Sequence, residues 1–298
     1  MLSHMSPGCS VINSILLSAC AVLAALYAFA LPAAESAKRL FPDTPGLCSY
    51  TFRNQFAKDV PGTLDAVKAL GITDLEFSNL FGLEAKELRR LLDERGLVCS
   101  SFGVGYDAAV NKTEEVARDA LTLGATYVRV ASIPHKPPFT AERAREAAAD
   151  FDRVGRLLRE RHGLTFCYHN HGYEFQPHGD GTLFDLLMAE TKPENVGIEL
   201  DILWAHFPGA DPAKLIDRYG SRVKLMHLKD LKQGVKGDFS GRTDPENDVV
   251  LGTGQIDMPA VLRAAKRAGV AHYYIEDEST AAPGQVPRSM VYLRSLAE

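Results

Sequence analysis

Eight short apolar runs alternate with amphipathic stretches along most of this 298-residue chain. The runs are Leu47 to Phe52, Asp74 to Phe77, Leu97 to Phe102, Tyr127 to Ser132, Leu164 to His169, Val196 to Asp201, Val223 to Lys229 and His272 to Glu276. Between them, Leu64, Val67 and Leu70 share a helical face, as do Leu88, Leu91 and Leu92, and later Val261, Leu262 and Ala265. Gly71, Gly96, Gly124, Gly163, Gly220 and Gly269 fall where a helix should stop, directly before the next apolar run. Strict strand–helix alternation requires parallel strands joined by right-handed crossovers. Eight such units predict an α/β protein with a single (β/α)8 TIM barrel over residues 46–298. A dinucleotide-binding open sheet is disfavoured, because the first strand is followed by Tyr50-Thr51-Phe52-Arg53-Asn54-Gln55 and not by G-x-G-x-x-G. Gly252-Thr253-Gly254 comes late and reads as a turn.

Residues 1–36 stand outside this pattern and read as an apolar leader: a signal peptide or membrane-anchor segment with its linker. Val11 to Ala30 carries no charge, enough length to span a bilayer, and is closed by Ala28-Phe29-Ala30, an A-x-A cleavage pattern. Leu17-Ser18-Ala19-Cys20 also fits a lipobox, and uncleaved insertion is a third outcome. The expected location is outside the cytoplasm, periplasmic or extracellular, with membrane attachment only through this segment. Subtracting it leaves about 260 residues, a usual barrel size, with no room for a second domain. Cys48, Cys99 and Cys167 lie inside apolar runs without C-x-x-C spacing and read as buried small hydrophobes. With 38 acidic against 33 basic residues and a net charge of -5, the chain offers no field for nucleic acid.

In such barrels the chemistry gathers where the strands end. Four consecutive strands end in ionisable residues. Alternation puts His169 with His171, Glu199 with Asp201, His227 with Lys229, and Tyr274 with Glu276 on one face each, able to point inward. Acids and imidazoles converging on one mouth need a cation among them. The economical answer is one divalent metal ion, and mixed Asp, Glu and His ligands suit Mn, Zn, Co or Mg. Lys229 can bind a substrate oxygen or steady an enolate, and His171 can donate to a hydroxyl. Glu76 closes the second strand and is a candidate for the same mouth, and Trp204 offers an aromatic face for a sugar ring. His162, His178 and His206 lack such context and default to the surface or a supporting position.

At these residues the chain resembles the sugar phosphate isomerase/epimerase family, the xylose isomerase-like TIM barrels, over Gly46 to Leu296. The motifs are His169-Asn170-His171-Gly172-Tyr173-Glu174-Phe175, Glu199 to Trp204, Gly209 to Pro212, His227 to Asp230, Gly252 to Asp257 and Glu276-Asp277. They are closest to an often exported subgroup carrying H-N-H-x-x-E-F. The resemblance implies one divalent ion held by Asp201, His227, Glu276 and a strand-five carboxylate. The wider family has Glu where this chain has His169. Glu174 is taken as that carboxylate, because dehydratases of the same superfamily pair a His-x-His strand end with a later Glu; His169 is the rival ligand and otherwise a substrate contact.

The implied activity is a metal-dependent sugar isomerase or epimerase working by proton abstraction next to a carbonyl. Glu174 or Glu276 would be the base, assisted by Lys229 and His171. The same enolate expelling a leaving group would make a keto-sugar or keto-glycoside lyase or dehydratase. A non-catalytic carbohydrate-binding barrel is the second alternative. A nuclease reading is disfavoured, since Asp201-Ile202-Leu203-Trp204 lacks the His that zinc endonucleases of this barrel type carry. Export and the absence of an Arg/Lys clamp point to a non-phosphorylated small carbohydrate, and barrels of this superfamily commonly form homo-oligomers.

Overall fold

The computed structural model describes residues 39–41 and 44–298, so the apolar leader lies outside the described residues. The barrel strands are β1 (Gly46–Cys48), β2 (Asp74–Phe77), β3 (Val98–Val104), β4 (Tyr127–Val130), β5 (Thr165–His169), β6 (Val196–Asp201), β7 (Val223–Leu228) and β8 (His272–Ile275). Each pairs in parallel with its sequence neighbours, and β8 pairs back onto β1, closing the sheet. The expected single TIM barrel is therefore the observed fold. Among the described residues no helix is long and apolar enough to cross a membrane.

Local chemistry explains the repeat. Asp59, Thr140, Asp211 and Asp257 each accept a backbone N–H in the first turn of the helix they precede, and Thr182 with Asp185 forms a full capping box. At the other ends Gly124 and Gly269 take φ of 79° and 73°, the left-handed conformation that a side chain disfavours. β1 is shorter than its apolar run. The chain bends into a 3-10 turn at Ser49–Phe52, where Ser49 Oγ accepts the Ser78 N–H at 2.8 Å and Thr51 Oγ1 accepts the Asp277 N–H at 3.2 Å.

Outward-facing strand residues such as Leu75, Val128, Phe166 and Ile198 pack under the helices. Inside the barrel, Cys48, Cys167, Leu225 and Tyr274 form a small separate apolar cluster. The three described cysteines are buried and unbridged, as expected, and burial pushes the Cys48 thiol up to about 12.

The segment after β7 leaves and rejoins the barrel at one point. Leu231 bridges Asp248, Lys232 N donates to Asn247 O at 2.8 Å, and Val249 N donates to Asp230 O at 3.1 Å. Below this neck, Asp230 accepts the N–H groups of Leu231, Gly252, Gly254 and Ile256 at 2.9–3.1 Å. A Cβ at Gly254 would stand 2.3 Å from Asp230 Oδ1, which explains the glycine there. Gly252-Thr253-Gly254 is thus a turn built around a carboxylate of the chain itself.

Candidate active site

Period-two alternation along β5 to β8 sends one ionisable set into the barrel. Registers Asp201↔His227 and Tyr274↔His227 bring three of these strand ends level. Asp201 Oδ2 lies 3.7 Å from His169 Nε2 and 3.8 Å from His227 Nδ1, which is 3.0 Å from Glu276 Oε2. Lys229 Nζ stands 3.1 Å from the same Glu276 oxygen and 2.6 Å from Glu278 Oε1. Asp201 Oδ1 is already engaged, capping the next helix through Trp204 N at 2.9 Å. Asn170, the middle residue of His-Asn-His, holds Asp201 from both sides: its Oδ1 accepts Asp201 N at 3.0 Å and its Nδ2 donates to Asp201 O at 3.1 Å.

His169 Nε2 and Asp201 Oδ2 are buried without a hydrogen-bond partner among the described residues. Together with a ring nitrogen of His227, ligand atoms of these residues lie within 4.8 Å of one another. Buried polar atoms left unpartnered in this way cost free energy unless something binds them, and two imidazoles with a carboxylate fit a divalent cation. Burial lowers the pKa of His169, keeping it in the neutral, ligating form, and raises Asp201 to about 6. Burial opposes charge on Lys229 and His227, but the surrounding carboxylates outweigh it and raise both. Burial likewise opposes charge on Glu276, where Lys229 and His227 win and hold the carboxyl well below its usual range.

One layer deeper, Arg129 of β4 donates to Glu76 Oε1 from Nε at 2.9 Å and Nη2 at 2.7 Å, and its Nε lies 3.1 Å from Glu199 Oε2. Glu76 also takes the Ser101 hydroxyl at 2.6 Å and pairs with His227 Nε2 at 2.8 Å. Glu76 is therefore fully enclosed and does not reach the mouth as the sequence reading expected; its carboxylate is consumed by Arg129, Ser101 and His227. Burial would raise it, but Arg129 and His227 hold it well below the ordinary range, whereas burial and the Glu76 charge push Glu199 up. A histidine whose second nitrogen faces a carboxylate is oriented for ligation through the first. Cys48, Glu76 and His227 form a second possible ligand group, but Arg129 already neutralises its carboxylate.

Glu174 goes elsewhere. Gly172, at φ 103°, turns the chain into the short 3-10 helix Tyr173–Phe175. This carries the carboxylate behind β5, where the Tyr168 hydroxyl donates to it and the His171 N–H reaches both its oxygens at 3.1 Å. Tyr168 packs in the outer layer against Phe151, with ring centroids 5.0 Å apart. The structure thus does not bring Glu174 to Asp201, His227 and Glu276; it brings His169. Glu174 instead anchors the backbone of His171. Burial raises its pKa to about 7 from an ordinary 4.5. The folded state then holds a proton that the unfolded chain releases, so stability falls as pH rises between these values. Glu174→Gln should remove that dependence and be more stable than wild type at pH 8 by up to about 3 kcal/mol. At pH 4 the two should match. Urea unfolding at both pH values checks this, and parallel pH profiles for the two proteins would rule it out.

The mouth is a cavity of about 560 Å³ bordered by Asn79, Ser132, His169, His171, Trp204, Arg242 and Glu276. His171 stacks on Trp204 with centroids 5.7 Å apart, and burial pushes its pKa down to about 4, leaving a neutral ring at this wall. Lys229 Nζ lies 5.6 Å from the Trp204 ring centroid. A second cavity of about 400 Å³ opens at the opposite end, where Gly46, Asp74 and His272 begin their strands, away from the converging acids. Sequence reasoning placed Glu199 on the inner face and Asn170 in a motif without giving either a role, and it missed Arg129 altogether. The available signal was an arginine at the inward position of Tyr127-Val128-Arg129-Val130, opposite acids on β2 and β6 that need a cation.

A family profile described as "Xylose isomerase-like TIM barrel" matches residues 64–296. The chain belongs to this family of xylose isomerase-like TIM barrels, and it is an enzyme. The inosose dehydratase of Lacticaseibacillus casei is 27% identical over 234 residues, covering 69% of this chain and 77% of that protein. A sugar phosphate isomerase/epimerase from Parabacteroides distasonis superposes with a TM-score of 0.69 at 20% identity, covering 83% of this chain and 96% of that one. The IOLI protein, solved with a bound zinc atom, superposes at 0.65 with 14% identity, covering 85% and 95%.

Proposed function

We propose that the protein removes a proton next to the carbonyl of a non-phosphorylated keto-sugar and then expels a β-leaving group, as a metal-dependent lyase or dehydratase. The observation that carries this is the pair of orphaned buried atoms, His169 Nε2 and Asp201 Oδ2, facing His227 and Glu276 at the foot of a polar cavity. His169, Asp201, His227 and Glu276 would hold the ion. When bound, it supplies Lewis acidity toward a carbonyl oxygen.

The chain's own groups do the rest. Glu276, kept ionised by Lys229 and His227, takes the proton from carbon and passes it to the departing oxygen, which leaves as water or an alcohol. The Lys229 ammonium lies beside it and stabilises the negative charge that builds on the substrate oxygen. His171, neutral and with Nδ1 lacking a partner among the described residues, hydrogen-bonds a sugar hydroxyl. Trp204 supplies the apolar floor for the ring. With Glu174 withdrawn behind β5 and Glu278, the other acid bordering the cavity, paired with Lys229, the strand-five base that a two-base epimerisation would use is missing, which favours elimination. The likeness to an inosose dehydratase supports the same choice. Asp230 already fills the N–H cluster at Gly252 and Gly254, so a substrate phosphate has no free backbone cradle there. The leader, read as an export segment, fits a substrate found outside the cytoplasm.

The test is a panel of keto-sugars and 3-keto-glycosides incubated with metal-loaded protein in heavy water. Loss of water or aglycone is the expected result. Deuterium incorporation with an intact carbon skeleton would make the enzyme an isomerase or epimerase instead. No deuterium and no product with any divalent metal would sink the catalytic reading in favour of a carbohydrate-binding barrel.

A further inference from the structure

Beside the mouth lies a third cavity of about 530 Å³, where the rings of His135, Phe139, Tyr173 and Phe239 are joined by two prolines and by Gln176, Ser240 and Arg242. The two cavities share Arg242 on their common rim. They are separated by the backbone of Gly241, where an added Cβ would stand 2.9 Å from both His171 O on one side and Tyr173 Cδ1 on the other. That position tolerates only glycine, so the ridge stays low.

A wall of rings runs across this ridge without a break. Trp204 and His171 stack at 5.7 Å, His171 and Tyr173 lie 6.4 Å apart within 15° of parallel, His135 follows Tyr173 at 4.3 Å, and Phe139 follows His135 at 5.1 Å. The Tyr173 ring is held in place by its hydroxyl, which accepts the Ile133 N–H at 2.8 Å. On the opposite side Phe239, carried by the loop after β7, is 41% exposed with no aromatic partner among the described residues, and Arg242 has no acidic partner there either. An apolar side chain held open beside fixed ring faces marks a place for an apolar ligand group. Continuity with the polar mouth identifies whose group it is.

We propose that the aromatic cavity is a subsite for an apolar, ring-shaped substituent of the same sugar whose polar ring occupies the mouth, so that the ligand class is an aryl-type glycoside. This rests on the sugar reading above and adds the second half of the ligand. The sugar packs on Trp204 and His171, the aryl ring enters between Tyr173 and Phe239, and Arg242 meets the oxygen that joins them.

The test compares p-nitrophenyl β-D-glucopyranoside with methyl β-D-glucopyranoside, neither of which carries the carbonyl needed for turnover, by calorimetric titration of the metal-loaded protein. The aryl glycoside should bind about tenfold tighter or more. Phe239→Ala, at an exposed loop position that leaves the barrel core intact, should erase most of that preference while the methyl glycoside binds as before. Equal affinities, a preference untouched by Phe239→Ala, or no binding of either glycoside would overturn the subsite. Deuterium exchange with small keto-sugars that lack an aryl group reads the sugar reaction separately, so that reading can survive the loss of this one.

Discussion

His169→Ala should strip the protein of its divalent ion, while Glu174→Ala keeps it. After loading with Mn²⁺ or Zn²⁺ and dialysis, wild type and Glu174→Ala should retain about one equivalent, and His169→Ala close to none. Asp201→Asn is the more discriminating partner variant. It preserves the Oδ1 that caps Trp204 N while removing the anionic oxygen that faces His169 and His227. It should weaken metal binding by more than about a hundredfold, beyond what the loss of an outer hydrogen-bond partner usually costs. Turnover should fall with occupancy in both ligand variants. Atomic absorption on dialysed samples gives the answer, and metal lost from Glu174→Ala but kept by His169→Ala would reverse the assignment.

Arg129→Met should be the most damaging single change to stability. It removes both hydrogen bonds to Glu76 and the ion pair with Glu199, leaving acids that no water reaches. Breaking a buried pair from one side costs about 3–5 kcal/mol, because the remaining charge is left uncompensated. Adding Glu76→Gln and Glu199→Gln to the same protein should recover most of the loss, although His227 then loses a carboxylate at Nε2. Urea midpoints of the single and triple variants measure this. A cost below about 1 kcal/mol for Arg129→Met would mean the pair carries little of the barrel's stability.

The barrel was legible in the sequence because its signals are local and repeated: a period-two apolar run, an amphipathic helix, then a glycine. The strand ends were legible for the same reason, since alternation alone places Asp201, His227 and Glu276 on the inner face. Glu174 was not, because its side-chain direction depends on the backbone turn at Gly172 and on a tyrosine hydroxyl on the outer face of β5. Spacing along a chain carries no information about direction once the strand has ended. Glu76 was placed on the correct face but at the wrong depth; depth depends on which cation lies opposite, and Arg129 comes from a strand two positions away. The residues that hold the site in place, Asn170 and Arg129, act through contacts across strands, and one sequence does not display those.

The neck at Leu231 and Asp248 has a use in engineering. Residues 232–247 enter and leave through adjacent backbone hydrogen bonds, and the turn beneath is clamped independently by Asp230. Loop closure varies only slowly with length, so a different insert between the same two anchors costs the barrel little. Phe239, Gly241 and Arg242 all ride on that insert, whereas His169, Asp201, His227 and Glu276 do not. The loop is therefore a natural cassette for grafting or randomisation, through which ligand range can be altered without touching the groups that perform the chemistry.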